Sequence, residues 1–288
     1  MLYSSLIEKT PIDKGWSGDK KYCVKTPDGK KYLLRITRPK KSDTCKKIFE
    51  MQSRLDIPMC IPLEIGECDE GIYTIFSWVD GKDANDVVPS LPESEQYAHG
   101  FSAGVALKKI HTIPAPPDVP TWEARYGAKL DRKIKAYTEC ALKYENGEKF
   151  IEYIKNNRHL IKNRPQCFQH GDYHIGNMMI ENGTLVVIDF DRYDFGDPWE
   201  EFNRIVWSCK SAPAFSSGMV DGYFDNNVPS EFWSLLALYI SCNTLSSLPW
   251  AIPFGEKEII TMKNQASDVL LWYDGMKNPI PTWYKEYK

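Results

Sequence analysis

Residues Gln169–Asp191 read QHGDYHIGNMMIENGTLVVIDFD, and the fold turns on how their polarity is read. An Asp (Asp172), an Asn five residues later (Asn177) and an Asp twelve residues after that (Asp189) stand around two short apolar runs. The runs read as two strands joined by a tight turn, which holds the polar groups at a fixed separation. Taken singly, Asp172 is a solvated turn residue and Asn177 a turn former before a strand. With Asp189 at the end of TLVVID, the three read as one set.

Outward from this hairpin the chain has two textures. Before it, KKYCVKT and KKYLLRI flank PDG, where Asp28-Gly29 supplies a hairpin turn. Tyr32, Leu34 and Ile36 alternate with Leu33, Arg35 and Thr37, so Arg35 points away from the more apolar face. SDTCKKIFEMQSRLDIP reads as a helix capped by Ser42 or Asp43, with Ile48, Met51 and Leu55 on one face. PLEIGEC and GIYTIFSWV are further strands. After Gly81 the pattern becomes helical: ESEQYAHGFSAGVALKKIHTI places Tyr97, Phe101 and Val105 on one stripe, and further helices are expected near 124–144, 148–162, 198–208, 229–247 and 256–274. The boundary falls in the Ser77–Gly81 connection, giving an N-terminal part of residues 1–80 and a C-terminal part of residues 81–288.

Composition narrows the class. The 288 residues are 42% hydrophobic, enough for a sizeable core, and carry 36 basic against 39 acidic side chains, so no basic excess marks a nucleic-acid binder. Eight cysteines lie far apart without a C-x-x-C pair and are expected as reduced thiols. The N-terminal MLYSSLIEKTPIDKG lacks a secretory pattern, and no apolar run is read as reaching the roughly 18 residues of a membrane helix. The expectation is a cytoplasmic protein without nucleic-acid or membrane partners; its oligomeric state is left open.

At this point a resemblance is specific. HGDYHIGN (His170–Asn177) is similar to the H-x-D-x-x-x-x-N catalytic loop of kinases, and IDFD (Ile188–Asp191) is similar to their Asp-Phe-Gly metal segment. Gly in HGD, where protein kinases carry Arg, makes the chain resemble the aminoglycoside phosphotransferases and choline-kinase-like small-molecule kinases over nearly its whole length. The resemblance implies an α+β, bilobal protein-kinase-like fold: a five-stranded antiparallel sheet with one helix, then a mostly helical part containing the catalytic hairpin. It implies Asp172 as proton acceptor, His170 as the residue that orients its loop, and Asn177 and Asp189 as ligands of Mg²⁺. Phosphoryl transfer asks for these types, since the acceptor hydroxyl must be aligned and a hard cation wants oxygen donors. ATP or GTP would be the phosphoryl donor.

The remaining candidates follow from the same resemblance. Gly15, Ser17 and Gly18 of KGWSGDKKY fall where a glycine-rich loop covers the nucleotide phosphates, with Lys20 as a further contact. Arg35 stands where the family usually has Lys, with Glu50 as the matching helix acid; Arg keeps the charge without being its geometric equivalent. Phe76, Ser77, Trp78 and Val79 occupy the segment that reads the base edge. Asp191, Asp194 and Glu200 form a negative site suited to a cationic acceptor, while Asp197 resembles the family's brace for the catalytic loop. The expected activity is therefore Mg²⁺-dependent transfer of the nucleotide γ-phosphoryl to a hydroxyl of a small, cationic, aminoglycoside-like molecule. A choline or other metabolite kinase, and a nucleotide-binding regulator without catalysis, are the competing readings.

Overall fold

A computed structural model describes residues 1–13 and 18–287. The chain resolves into two compact units, Met1–Ala84 with Asn177–Asp191, and Asn85–Gly176 with Arg192–Lys288. A single cut after residue 80 was read from the sequence; the contacts cut at Ala84 and give the hairpin to the first unit.

In the first unit the Asp28-Gly29 turn sets the register. Gly29 sits at φ +82°, a left-handed value that glycine adopts without a steric penalty, and its amide donates to Thr26 O at 2.9 Å. Strand β1 is Glu8–Pro11, β2 is Lys20–Lys25 and β3 is Lys31–Thr37. Helix α1 (Ser42–Gln52) follows, then β4 (Pro62–Cys68) and β5 (Gly71–Ser77). The expected five-stranded antiparallel sheet forms in the order β1-β2-β3-β5-β4. One face buries Val24, Tyr32, Leu34, Ile36, Tyr73 and Ile75, with Leu2, Tyr3 and Leu6 packed against it. On the opposite face Lys21, Arg35 and Thr74 align in one cross-strand row. Helix α1 ends at Gln52, short of Leu55, and has no side-chain cap. The polar hairpin pairs Met178–Glu181 with Thr184–Val187 and is joined on its other side by Lys82–Asp83.

The second unit is mostly helical, as expected, with helices Glu93–Ile110, Trp122–Glu139, Glu148–Asn157, Ser230–Ala251 and Glu256–Trp272. In this unit a strand pair and a helix escape the sequence reading. Cys167–Gln169 pairs with Asp194–Gly196, strands too short to show a period. Helix Pro213–Phe224 is buried from Ala214 to Tyr223, so it has no polar face to reveal a helical repeat. Its small residues pack directly on Glu93–Ile110, where a Cβ on Gly100 would collide with the Phe215 carbonyl and one on Gly218 with that of Tyr97. This contact corrects the expected stripe: Val105 is exposed, and the buried face is Gly100, Ala103, Gly104 and Leu107. The expectation on apolar runs is also corrected. Ser230–Phe254 is long and apolar enough to cross a membrane by length and composition, and 67% of its most apolar window is buried in the protein, as in a core helix.

Candidate active site

Asp189 closes the hairpin at φ +66°, a left-handed conformation that Asp tolerates better than branched residues. The Ile188 amide donates to Asn177 O at 3.0 Å, so the first and last polar groups of the hairpin are register neighbours. Lys21 Nζ lies 3.2 Å from Asp189 Oδ2, and Arg35 Nη1 lies 3.5 Å from Oδ1. Asp189 Oδ1 is buried and accepts no hydrogen bond among the described residues.

Arg35 does not use the acid expected for it. Its Nε donates to Asp19 Oδ2 at 2.8 Å, its guanidinium also pairs with Asp191, and the Thr37 hydroxyl donates to Asp19 at 3.0 Å. Glu50 is exposed on the far side of α1, which turns Ile48, Phe49 and Gln52 toward Arg35 instead. These residues line a cavity of about 180 Å³ with Asp19, Thr74 and Asp191, into which the buried Gln52 brings an Oε1 that has no partner among the described residues.

The phosphate-loop candidates divide. Gly15 and Ser17 lie outside the described residues. Gly18 is exposed, with open space where a Cβ would stand. Lys20 pairs with Glu70 at 2.5 Å, whereas its neighbour Lys21 points to the Arg35 face. In the base-reading segment, Phe76 is buried, and Ser77 is engaged through its amide to Ile61 O and its hydroxyl from Ile61 N, both at 2.8 Å. Trp78 and Val79 are half-buried, and no backbone bond engages their amides among the described residues.

In the second unit the His170–Asp172 loop is held from several directions. Gly171 has φ +84°, and a Cβ there would collide with the Arg192 carbonyl, which explains glycine at this position. Its amide donates to Glu201 Oε1 at 2.8 Å. His170 is fully buried and accepts the Asp172 amide on Nδ1 at 3.3 Å, while the Tyr173 hydroxyl donates to Ala103 O at 2.7 Å. Two guanidinium groups and an imidazole surround the Asp172 carboxylate: Arg204 Nε at 3.2 Å, Arg192 Nη1 at 3.7 Å and His174 Nε2 at 3.8 Å. Burial pushes this carboxyl's pKa up, but the His174 hydrogen bond and the Arg204 and Arg192 charges outweigh it and hold the group well below the usual carboxylate range.

The acids assigned to a cationic acceptor are each paired. Asp191 meets Arg35; Asp194 takes Arg125 on both oxygens at 2.9 and 3.0 Å; Glu200 takes Lys129 at 2.9 Å. Asp197 accepts from Arg164 Nε at 2.7 Å, Tyr239 at 2.6 Å and the Trp199 amide at 3.0 Å. The acid that touches the His-Gly-Asp loop at Gly171 is Glu201.

Lys21, Asp19, Arg204 and Glu201 have no site role in the sequence reading. Lys21 and Asp19 were within reach: counting back from the Asp28-Gly29 turn puts Lys21 opposite Arg35 and Asp19 opposite Thr37. Arg204 and Glu201 carry no such linear signal, because they meet Asp172 and Gly171 only through tertiary packing. Among the described residues no cluster of three or more His, Cys, Asp or Glu forms a metal site. The Asn177 amide oxygen and the under-bonded Asp189 carboxylate are hard donors of the kind Mg²⁺ takes when it keeps waters and phosphate oxygens as its other ligands.

A family model described as the phosphotransferase enzyme family matches residues 8–232. No curated protein matches the chain. A thermostable mutant of aminoglycoside phosphotransferase APH(4)-Ia, solved with ADP and hygromycin B, is 16% identical at TM-score 0.67, covering 93% of this chain and 95% of that one. Aminoglycoside phosphotransferase APH(2'')-Ib, bound to ADP, is 16% identical at TM-score 0.63, covering 93% and 94%. Amicoumacin kinase hAmiN, with AMP-PNP, Ca²⁺ and Ami, is 12% identical at TM-score 0.65, covering 99% and 94%. At these identities the likeness is one of fold.

Proposed function

We propose that this chain, which belongs to the phosphotransferase enzyme family, moves the γ-phosphoryl of ATP or GTP to a hydroxyl of a small molecule with Mg²⁺ as cofactor. The observation that carries the reading is Asp189, held at the hairpin end with a buried oxygen that accepts no hydrogen bond among the described residues and with Lys21 and Arg35 beside it. Anion-binding cations next to an oxygen-donor metal position are what a triphosphate requires.

In the reaction the acceptor oxygen bonds to the γ-phosphorus, the bond from that phosphorus to the β–γ bridging oxygen breaks, and the nucleoside diphosphate leaves. The hydroxyl proton passes to Asp172 and on to solvent. A carboxylate held so far below its usual range is a weak base, so Asp172 acts first as a hydrogen-bond acceptor that orients the hydroxyl. It takes the proton late, once bonding to phosphorus has made the hydroxyl acidic. Lys21 and Arg35 supply positive charge toward phosphate oxygens. Asn177 and Asp189 would hold Mg²⁺, whose charge would offset that of the triphosphate.

The competing non-catalytic reading rested on Arg replacing Lys at position 35. Lys21, directly across the strand pair, supplies an ammonium to Asp189 and supports the enzyme. The aminoglycoside-like acceptor loses support, because Asp191, Asp194 and Glu200 are all neutralised by neighbours. Coupled nucleotide consumption with ATP and GTP across hydroxyl compounds tests the activity. Asp172→Ala should abolish turnover with the fold retained by circular dichroism; unchanged turnover removes Asp172 from the mechanism.

A further inference from the structure

We propose that the acceptor carries an anionic group, a phosphate or a carboxylate, beside the hydroxyl that is phosphorylated, and that Arg204, Arg192 and Lys133 bind it. This rests on the phosphotransferase reading and names its substrate class.

The charges around Asp172 do not balance. One carboxylate faces two guanidinium groups and an imidazole. The neighbouring acids cannot supply the missing charge: Asp194 is taken by Arg125, Glu200 by Lys129, Asp131 by Arg158 and Asp197 by Arg164, while Glu201 is turned to the Gly171 amide and the His111 ring. Set against Asp172 and Glu201, the cations Arg204, Arg192 and Lys133 leave one positive charge unmatched among the described residues.

Register adds a second observation. Helix Trp122–Glu139 and the 3-10 turn Glu200–Ile205 meet at Lys129 and Glu200, an ion pair of 2.9 Å. Four residues further along each segment stand Lys133 and Arg204, two like charges, and the Arg204 charge is felt at Lys133. Lys133 is half-buried and has no carboxylate partner among the described residues. Burial first, then the charges of Lys129, Arg132 and Arg204, disfavour its charged form. A half-buried cation without a partner beside a guanidinium is poorly satisfied in the free protein and is relieved by an anion. Arginine's planar fork matches the paired oxygens of phosphate or carboxylate. A polycationic acceptor would meet like charge at the same place.

The test is calorimetric binding of four hexose derivatives that differ mainly in charge: glucose, glucosamine, gluconate and glucose 6-phosphate. Each is titrated into the full chain with and without saturating Mg²⁺ and AMP-PNP. The expected result is that one or both anions bind at least about tenfold tighter than glucose and glucosamine, with AMP-PNP present. Arg204→Gln and Lys133→Gln should each weaken that binding by about tenfold, the weight of a charge-assisted hydrogen bond, while Arg204→Lys retains most of it. Preference for gluconate or for glucose 6-phosphate distinguishes carboxylate from phosphate. The proposal is overturned if neither anion binds, if glucosamine binds tighter, if both Gln variants bind the anion as wild type does, or if AMP-PNP displaces it, which makes the patch a nucleotide-phosphate site. Nucleotide consumption in the same samples reads the activity separately. Anion binding without turnover on any acceptor removes the activity and keeps the site. Turnover on glucosamine with an acceptor KM unmoved in both variants removes the site and keeps the activity.

Discussion

Arg35 is fixed by Asp19, whose Oδ2 accepts its Nε at 2.8 Å and the Thr37 hydroxyl at 3.0 Å. The Asp19 side chain is only 5% exposed, so the pair works in a partly desolvated setting where charge is weakly screened. The cation is thus held by the strand pair that carries it, and α1 is spared that task.

Asp19→Asn keeps the shape and removes the charge. We expect the nucleotide KM to rise about tenfold, in line with loss of one charged hydrogen bond. Glu50→Gln, on the exposed side of α1, should change kcat/KM by less than about twofold. Steady-state kinetics of the two variants side by side decides between strand and helix as the anchor.

Lys21 contributes the ammonium nearest Asp189. Lys21→Met should lower kcat on the order of a hundredfold, as for other groups that stabilise developing charge. A loss confined to nucleotide KM, with kcat intact, assigns Lys21 to ground-state binding alone.

The Asp172 carboxyl lies below its ordinary 3.8 and is therefore ionised throughout the neutral range. A depressed carboxyl contributes stability that is present above pH 3.8 and is lost as pH falls below it. Arg204→Gln removes one of the charges holding it down, so its pKa rises toward the ordinary value. The acid limb of the kcat/KM profile should then move to higher pH than in wild type, and acid unfolding should lose part of this contribution. An unmoved acid limb separates Arg204 from Asp172.

Gly171→Ala places a Cβ against the Arg192 carbonyl at a left-handed backbone position. We expect a loss of about 1–3 kcal/mol in stability and a larger fall in kcat, since Asp172 is the next residue. Thermal melting and single-turnover rates measure the two effects.

Asp197 is fully buried and holds Arg164 through two hydrogen bonds, 2.7 and 3.1 Å. Asp197→Ala leaves that guanidinium uncompensated and should cost about 3–5 kcal/mol, read by denaturant unfolding. A neutral result indicates that water replaces the carboxylate.

Local patterns made much of this protein legible. Alternation along Tyr32–Ile36, the Asp28-Gly29 turn and the polar hairpin are properties of a few consecutive residues, and period and turn chemistry act over that range. The sheet, the main helices and the spacing of Asp172, Asn177 and Asp189 are therefore written in the chain. Helix Pro213–Phe224 was not, because a segment buried on every side has no amphipathic signal.

What only the tertiary structure decided is which charge meets which. Lys20 and Lys21 differ by one position, and the two-residue period of a strand sends the first to Glu70 and the second to Asp189. Asp191, Asp194 and Glu200 look like a negative site in sequence and are each neutralised in space, by Arg35, Arg125 and Lys129. Asp172 looks like a lone carboxylate and stands among Arg204, Arg192 and His174. Net charge along a segment is a one-dimensional count, whereas the field at a site falls off with distance through space, so the folded chain alone sets its sign.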